Sequence, residues 1–200
     1  MTKEPQNREP LLPLFLRLAG KPVVLVGGGR VAAAKHAALR AAGARVTVVA
    51  PTIAAELRQE GTELRERPFA PADLDGAWLV VAAATAEVNR TVLAAAEERR
   101  LFVNAVDDPA AATAYAGAVV RRGPATVAVS TGGAAPALAG LLREALEALL
   151  PDDLESWLAT ARAQRLQWQA RGVAMADRRP LLLEALNDLY GPRAAGGGRT

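Results

Sequence analysis

The stretch that most constrains this chain is Val23-Val24-Leu25-Val26-Gly27-Gly28-Gly29-Arg30-Val31-Ala32. A run of β-branched and aliphatic residues stops at three glycines, and a long alanine-rich segment follows. That order spells strand, tight turn and helix, the start of a doubly wound α/β unit. Gly27 permits the sharp turn, and Gly29 lets a diphosphate approach the backbone. Ala32 occupies the third small position of a G-x-G-x-x-G/A pattern. The helix then offers free N–H groups and the positive end of its dipole to an anion. The bland alternative is a structural βα turn that binds nothing. The second strand, at the right distance, favours a dinucleotide.

Composition narrows the remaining choices. Two hundred residues, 51% of them hydrophobic, can build one α/β domain and an accessory piece. Cysteine is absent, so disulfides and thiolate chemistry are excluded. The one histidine, His36, falls inside the first long helix, where a packed or exposed residue is the expectation. No apolar run approaches the ~20 residues of a membrane span, and Met1–Pro10 lacks a signal-peptide core. A cytoplasmic protein is expected. The net charge is only +3. The high isoelectric point comes from arginine, since Lys3, Lys21 and Lys35 are the only lysines. Such a balance does not call for nucleic acid, and there are no aromatic stacking clusters. Arginine does suit a substrate carrying several carboxylates.

Along the chain, Met1–Pro10 reads as a mobile lead. Leu11–Leu18 is an apolar run that can lie as an extra strand on the sheet. Strand-like runs follow at Val23–Val26, Arg45–Ala50, Thr62–Arg67, Ala77–Ala82 and Leu101–Val106. Helical patterns fall at Val31–Ala42, closed by Gly43, at Ile53–Glu60 and at Ala86–Arg99. Strands alternating with helices predict a parallel sheet. The pattern then changes. Ala118–Arg121 and Thr126–Ser130 flank a Gly123-Pro124 turn and predict a hairpin. Pro136–Leu150, a helix running from Leu154 through Trp168, and Pro180–Tyr190 complete the elements, and Ala194–Thr200 is a frayed tail. The expected fold is α/β: a Rossmann-type parallel sheet over residues 1–113, a small α+β dimerisation domain over 114–150 and a C-terminal helical part over 151–200.

Ligands of open α/β sheets sit beyond the carboxyl ends of the strands. Those ends carry Gly27 to Val31, then Pro51 and Thr52, then Ala84 and Thr85 with Asn89 one turn on, and finally Asn104-Ala105-Val106-Asp107-Asp108-Pro109. No acid follows the second strand to hold the ribose hydroxyls; the nearest is Glu56, and Thr52 with backbone groups is the substitute. Residue chemistry alone leaves NAD against NADP open. Asp107 and Asp108 are the carboxylates of this rim. One can take a proton while hydride leaves a reduced substrate, or the pair can simply make a turn. Ser130-Thr131-Gly132-Gly133-Ala134-Ala135-Pro136 is a second glycine loop opening a helix, with Pro136 at its first position. Its N–H groups are candidates for a substrate carboxylate, against the alternative of a plain helix start. Arg121 and Arg122 are either a solvated turn or part of an acidic-substrate site.

Taken together, these stretches resemble the precorrin-2 dehydrogenase family, the NAD-dependent module of siroheme synthesis. The matching residues include Leu12-Pro13-Leu14-Phe15, Val24 to Ala32, Val48-Val49-Ala50-Pro51, Ala83-Ala84-Thr85, Glu87-Val88-Asn89-Arg90, Phe102 to Pro109, Val119 to Gly123 and Val127 to Ala139. The resemblance runs in order from about Leu11 to Leu150. It implies an intertwined homodimer that oxidises precorrin-2, a polycarboxylate tetrapyrrole, to sirohydrochlorin with NAD. In some members it extends to insertion of ferrous iron as a second substrate. It implies cofactor contacts at Gly29, Arg30, Val31, Pro51 and Thr52, to which the residues add Gly27, Gly28 and Thr85. Asp107 becomes the candidate catalytic residue. Asn104, Ser130, Thr131, Gly132 and Gly133 are candidate substrate contacts, and no resident metal site is expected. One departure stands out: Ala114-Tyr115-Ala116-Gly117 replaces an aromatic-rich Phe-x-x-Pro. With no methyltransferase segment after residue 200, a stand-alone form is expected. The rival is a regulatory Rossmann module that senses NAD without catalysis. A short-chain dehydrogenase is excluded, because Tyr115 and Tyr190 are followed at Tyr-x-x-x-Lys spacing by Val119 and Ala194.

Overall fold

The computed structural model describes residues 10–187. The lead before them, the tail Ala194–Thr200 and the far end of the expected last helix at Tyr190 lie outside the described residues. The chain forms two compact units. One comprises the chain up to Ala116 together with Ser130–Ala135; the other comprises Gly117–Val129 and the chain from Pro136 onward.

In the first unit, strands β1 (Pro22–Val26), β2 (Arg45–Val49), β3 (Glu63–Arg65), β4 (Leu79–Ala82) and β5 (Val103–Ala105) form one sheet in the order β3-β2-β1-β4-β5. Every pairing is parallel. Helices α1 (Arg30–Ala41) and α2 (Ala86–Glu98) make crossovers. The order reverses between β1 and β4, so a crevice opens at the carboxyl ends of those strands. The period-two alternation of β1 divides the core. Val23 and Leu25 pack with Ala32 and Leu39 of α1 and with Leu57. Val24 and Val26 pack on the other face with Val92, Ala95 and Ala96 of α2. All four residues of β4 are buried, as a strand covered on both faces requires. Each such side chain contributes about 1.5–3 kcal/mol by burial, so one polar residue in β1 or β4 would open a layer.

Local chemistry fixes the crossovers. Thr85 caps α2, its hydroxyl accepting the Val88 N–H at 3.5 Å, and the buried Asn89 accepts the Ala84 N–H at 3.2 Å. His36 is fully buried in α1, with Nε2 2.9 Å from Thr62 Oγ1, which joins the helix to the start of β3. Its Nδ1 has no hydrogen-bond partner. Burial, and then the nearby Arg40 charge, hold its pKa below the usual imidazole value.

Three expectations change. Leu11–Leu18 does not add a strand. The outer edge of β5 is already covered: Thr113 and Ala114 N–H donate to the Val103 carbonyl, and Thr113 Oγ1 accepts the Val103 N–H. Only Leu18 of that run is buried, while Leu11, Leu12, Leu14, Phe15 and Leu16 are exposed. Ile53–Glu60 forms only a 3₁₀ turn at Ala55–Leu57. Its bonds span three residues, from the Leu57 N–H to the Ala54 carbonyl and from the Arg58 N–H to the Ala55 carbonyl, and the turn is not continued as an α-helix. The last helix, α5, begins at Met175 rather than Pro180 and carries the proline in its second turn. Arg178 ties its start down by donating to the Val173 carbonyl at 2.8 and 3.1 Å.

In the second unit, β6 (Ala118–Arg122) and β7 (Ala125–Val129) form the expected antiparallel hairpin about Gly123-Pro124. Helix α3 (Pro136–Leu149) packs on it, and α4 (Leu154–Arg171) packs with α5 (Met175–Asn187). Arg122 has a structural duty. Its guanidinium pairs with Asp152 and donates to the Leu150 carbonyl at 3.3 Å and the Glu147 carbonyl at 3.5 Å, a cationic cap on the end of α3. Among the described residues, no helix is long and apolar enough to cross a membrane.

Candidate functional site

The three glycines after β1 do different work. Gly27 sits at φ +131°, and a Cβ there would lie 2.3 Å from the Ala83 carbonyl oxygen. A Cβ on Gly28 would lie 1.9 Å from the Thr52 carbonyl oxygen, because the segment after β2 crosses directly over it. Both positions are glycine because backbone passes against backbone. Gly29 has ordinary extended geometry, and a Cβ there would meet nothing within 4 Å. Its missing side chain leaves open space immediately before α1. The first-turn N–H groups of a helix have no intrahelical partners, and α1 has neither a side-chain cap nor an acidic residue in that turn. An anion is what satisfies such an end.

That space opens into a cavity of about 650 Å³ at the carboxyl ends of the strands, within the ~300–1,000 Å³ range of small-molecule sites. Its walls are Val26 to Gly29, Val49 to Thr52, Ala83 to Thr85, Pro68 and Phe69 beyond β3, and Val88 and Thr91 of α2. No wall residue is charged. Backbone groups and the Thr52, Thr85 and Thr91 hydroxyls supply its polarity. The cavity thus gathers six of the expected cofactor contacts: Gly27, Gly28, Gly29, Pro51, Thr52 and Thr85. Arg30 and Val31 stand outside the wall, exposed on the first turn of α1.

Sequence reading overlooked Pro68 and Phe69. The strand-end rule would have found them had it been applied to β3. They are held by a buried charge cluster. Asp73, whose side chain is 1% exposed, accepts Arg65 Nη1 at 2.7 Å, Arg67 Nη1 at 2.8 Å and the Ala70 N–H at 2.9 Å. The arginines hold its carboxyl well below the usual carboxylate range.

Asp107, Asn104 and Ser130–Gly133 do not line this cavity. Asp107 lies two residues beyond β5, exposed, with φ +56°. Left-handed backbone is costly for most L-residues and tolerated by aspartate. Asp108 opens a 3₁₀ turn at Pro109–Ala111, its carbonyl accepting the Ala111 N–H. Asn104 donates its amide to the Ala114 carbonyl at 3.0 Å, helping to hold the covering segment on β5. The Asp-Asp-Pro turn and the second glycine loop do come together. A Cβ on Gly133 would lie 3.1 Å from the Tyr115 ring and 3.4 Å from Pro109. The second loop is largely closed on itself: Ser130 Oγ accepts the Gly132 N–H at 3.1 Å, Thr131 Oγ1 the Ala135 N–H at 3.2 Å and the Thr131 carbonyl the Ala134 N–H at 3.1 Å. The expectation that these N–H groups stand ready for a carboxylate is corrected to that extent. Among the described residues, no three His, Cys, Asp or Glu side chains cluster as metal ligands.

A doubly wound sheet, an uncapped glycine-led helix and a neutral cavity at the strand reversal define a nucleotide-binding protein of the Rossmann type. Residues 14–118, more than half of the chain, match the family described as putative NAD(P)-binding, and the chain belongs to it. Residues 122–149 match the family described as sirohaem biosynthesis protein, central. The chain is 48% identical over 173 residues to siroheme synthase 3 of Aeromonas hydrophila, covering 84% of itself and 37% of that protein. It is 40% identical over 191 residues to a siroheme synthase of Photorhabdus laumondii, covering 93% and 41%. The chain therefore spans about two fifths of the length of these relatives. A solved structure of SirC, a precorrin-2 dehydrogenase, superposes with a TM-score of 0.68 at 24% identity, covering 90% of this chain and 92% of that one, and shares its fold.

Proposed function

We propose that this chain is an NAD-dependent dehydrogenase that converts precorrin-2 to sirohydrochlorin in siroheme synthesis, working in the cytoplasm as a homodimer. The observation that carries the reading is the Gly29 opening: a cradle without a Cβ, at an uncapped helix end, over a neutral cavity. It fits a dinucleotide diphosphate. Bound there, NAD would supply the hydride acceptor. Gly27 and Gly28 shape the turn, Gly29 and the first turn of α1 with Arg30 and Val31 receive the diphosphate, and Pro51 and Thr52 lie along the ribose. Thr85 offers a hydroxyl toward the nicotinamide end.

The substrate loses a hydride and a proton. Asp107, beyond the neighbouring strand, is the carboxylate assigned to take or direct that proton. Its exposed position just past the end of β5 supports the assignment. Asn104 and Ser130 to Gly133 form the substrate side of the rim. The dimer reading rests on exposed apolar surface: Leu138, Leu141, Leu142 and Leu149 of α3 are uncovered within a single chain, and a second copy over residues 114–150 would bury them. Iron insertion is assigned as a second step in the same active site, with ferrous iron as substrate. Incubation with precorrin-2 and NAD should produce reduced nicotinamide and the sirohydrochlorin spectrum, and added ferrous iron should then yield siroheme. NAD binding without turnover would favour the regulatory module instead.

A further inference from the structure

We infer that Asp73 sets the cofactor preference of the cleft by locking two arginines away from its ribose end. The inference rests on the dinucleotide reading of the cavity. In Rossmann proteins, an acid at the end of the second strand binds the ribose 2′-hydroxyl, or a nearby arginine accepts a 2′-phosphate. Here the second strand ends in Ala50, Pro51 and Thr52, which offer neither. The next strand outward carries cations at its own end. Arg65 closes β3, and its carbonyl accepts the Ala50 N–H at 3.2 Å. Arg67 lies two residues on and donates to the carbonyl of Pro68, a wall residue, at 3.0 Å. The Arg67 guanidinium therefore touches a wall residue, and Arg65 is joined through its backbone to another.

Neither is available. Asp73 takes Nη1 of both arginines and a second contact from Arg67, and its remaining capacity goes to the Ala70 N–H. Arg65 is further engaged by Glu63 through Nε at 2.9 Å. Arg58 pairs with Glu66. With a neutral wall, a phosphate at the 2′-position would find these three arginines already paired to carboxylates and would be desolvated without their charge, which is costly. The ribose of a 2′-hydroxyl dinucleotide carries no such penalty.

Titration calorimetry with NAD and NADP tests this. The native chain should bind NAD at least about tenfold more tightly than NADP, and D73N, which frees the arginines without changing shape, should narrow or reverse that ratio by about tenfold or more, the scale of a charge-assisted bond to phosphate. Adding R67Q to D73N should abolish the gain. R67Q alone, a half-exposed substitution that leaves Asp73 paired with Arg65, should leave the NADP-to-NAD affinity ratio unchanged. That single variant keeps the test open if D73N fails to fold: a tenfold drop would show that Arg67 already reaches the phosphate, and would overturn the inference. An unchanged ratio in folded D73N, or equal native affinities for the two dinucleotides, would overturn it while leaving the cofactor site intact. Failure of the native chain to bind either would overturn both.

Discussion

The chain carries two glycine loops that each lead into a helix, and they are put to opposite uses. In the first, Gly27 and Gly28 press against neighbouring backbone while Gly29 faces open space, and among the described residues no side chain caps α1. In the second, Ser130 and Thr131 hydroxyls occupy N–H groups of the loop, and Gly133 is packed by Tyr115 and Pro109. A hydroxyl residue just ahead of a helix satisfies the donors that an anion would otherwise take. The first loop thus leaves open space before a helix end without a side-chain cap. The second supports itself through its own hydroxyls and the Tyr115 and Pro109 side chains.

Several substitutions would break or sharpen that contrast. The largest effect is expected for Gly28→Ala. Its methyl group would meet the Thr52 carbonyl, so stability should fall by about 3 kcal/mol or more. Thermal unfolding would show this as a loss of roughly 6–12 °C. Asp107→Asn keeps a residue that tolerates left-handed backbone and removes only the charge. It should lower dehydrogenase turnover about 100-fold with NAD affinity unchanged, while Asp108→Asn does less. Steady-state kinetics and calorimetry separate these effects, and near-normal turnover would mean that no side-chain base is needed.

Smaller effects follow. Thr131→Val removes the hydroxyl that closes the second loop and should cost about 1 kcal/mol, read by denaturant unfolding, with dinucleotide binding unaffected. His36 anchors the helix behind the first loop. Its folded pKa is depressed, so below the unfolded value of 6.5 the unfolded chain takes the proton more readily. That stability is fully present above pH 6.5 and is lost as pH falls toward the folded pKa. The melting temperature should decline modestly from pH 7 to 5.5, and His36→Leu should flatten that part of the profile.

Much of this was legible in the chain. The aliphatic runs of β1 and β4, bounded by glycine or turn residues, located the sheet to within two residues. The first glycine loop named most of its own cavity. What escaped detection depended on tertiary competition. Leu11–Leu18 has strand composition, but one edge of the sheet is already taken by Thr113 and Ala114, and only Leu18 of the run is buried. Ile53–Glu60 has helical composition, but its backbone closes only three-residue bonds at Leu57 and Arg58. Pro180 looked like a helix start because the Arg178 bonds to Val173 are invisible in sequence. The Asp73 cluster and the Pro68-Phe69 wall escaped for a related reason: three residues brought together by a turn after a short strand leave no periodic signal.

The central claim is that Gly29 is glycine for a ligand's sake, whereas Gly27 and Gly28 are glycine for the fold's sake. Gly29→Leu tests it most directly. The backbone there is ordinary and the space is open, so the variant should unfold within a few degrees of the native chain. NAD affinity, measured by calorimetric titration, should fall by about 100-fold or more, equivalent to about 2.8 kcal/mol, because the side chain fills the diphosphate position. A well-folded Gly29→Leu protein that binds NAD as the native chain does would contradict the claim.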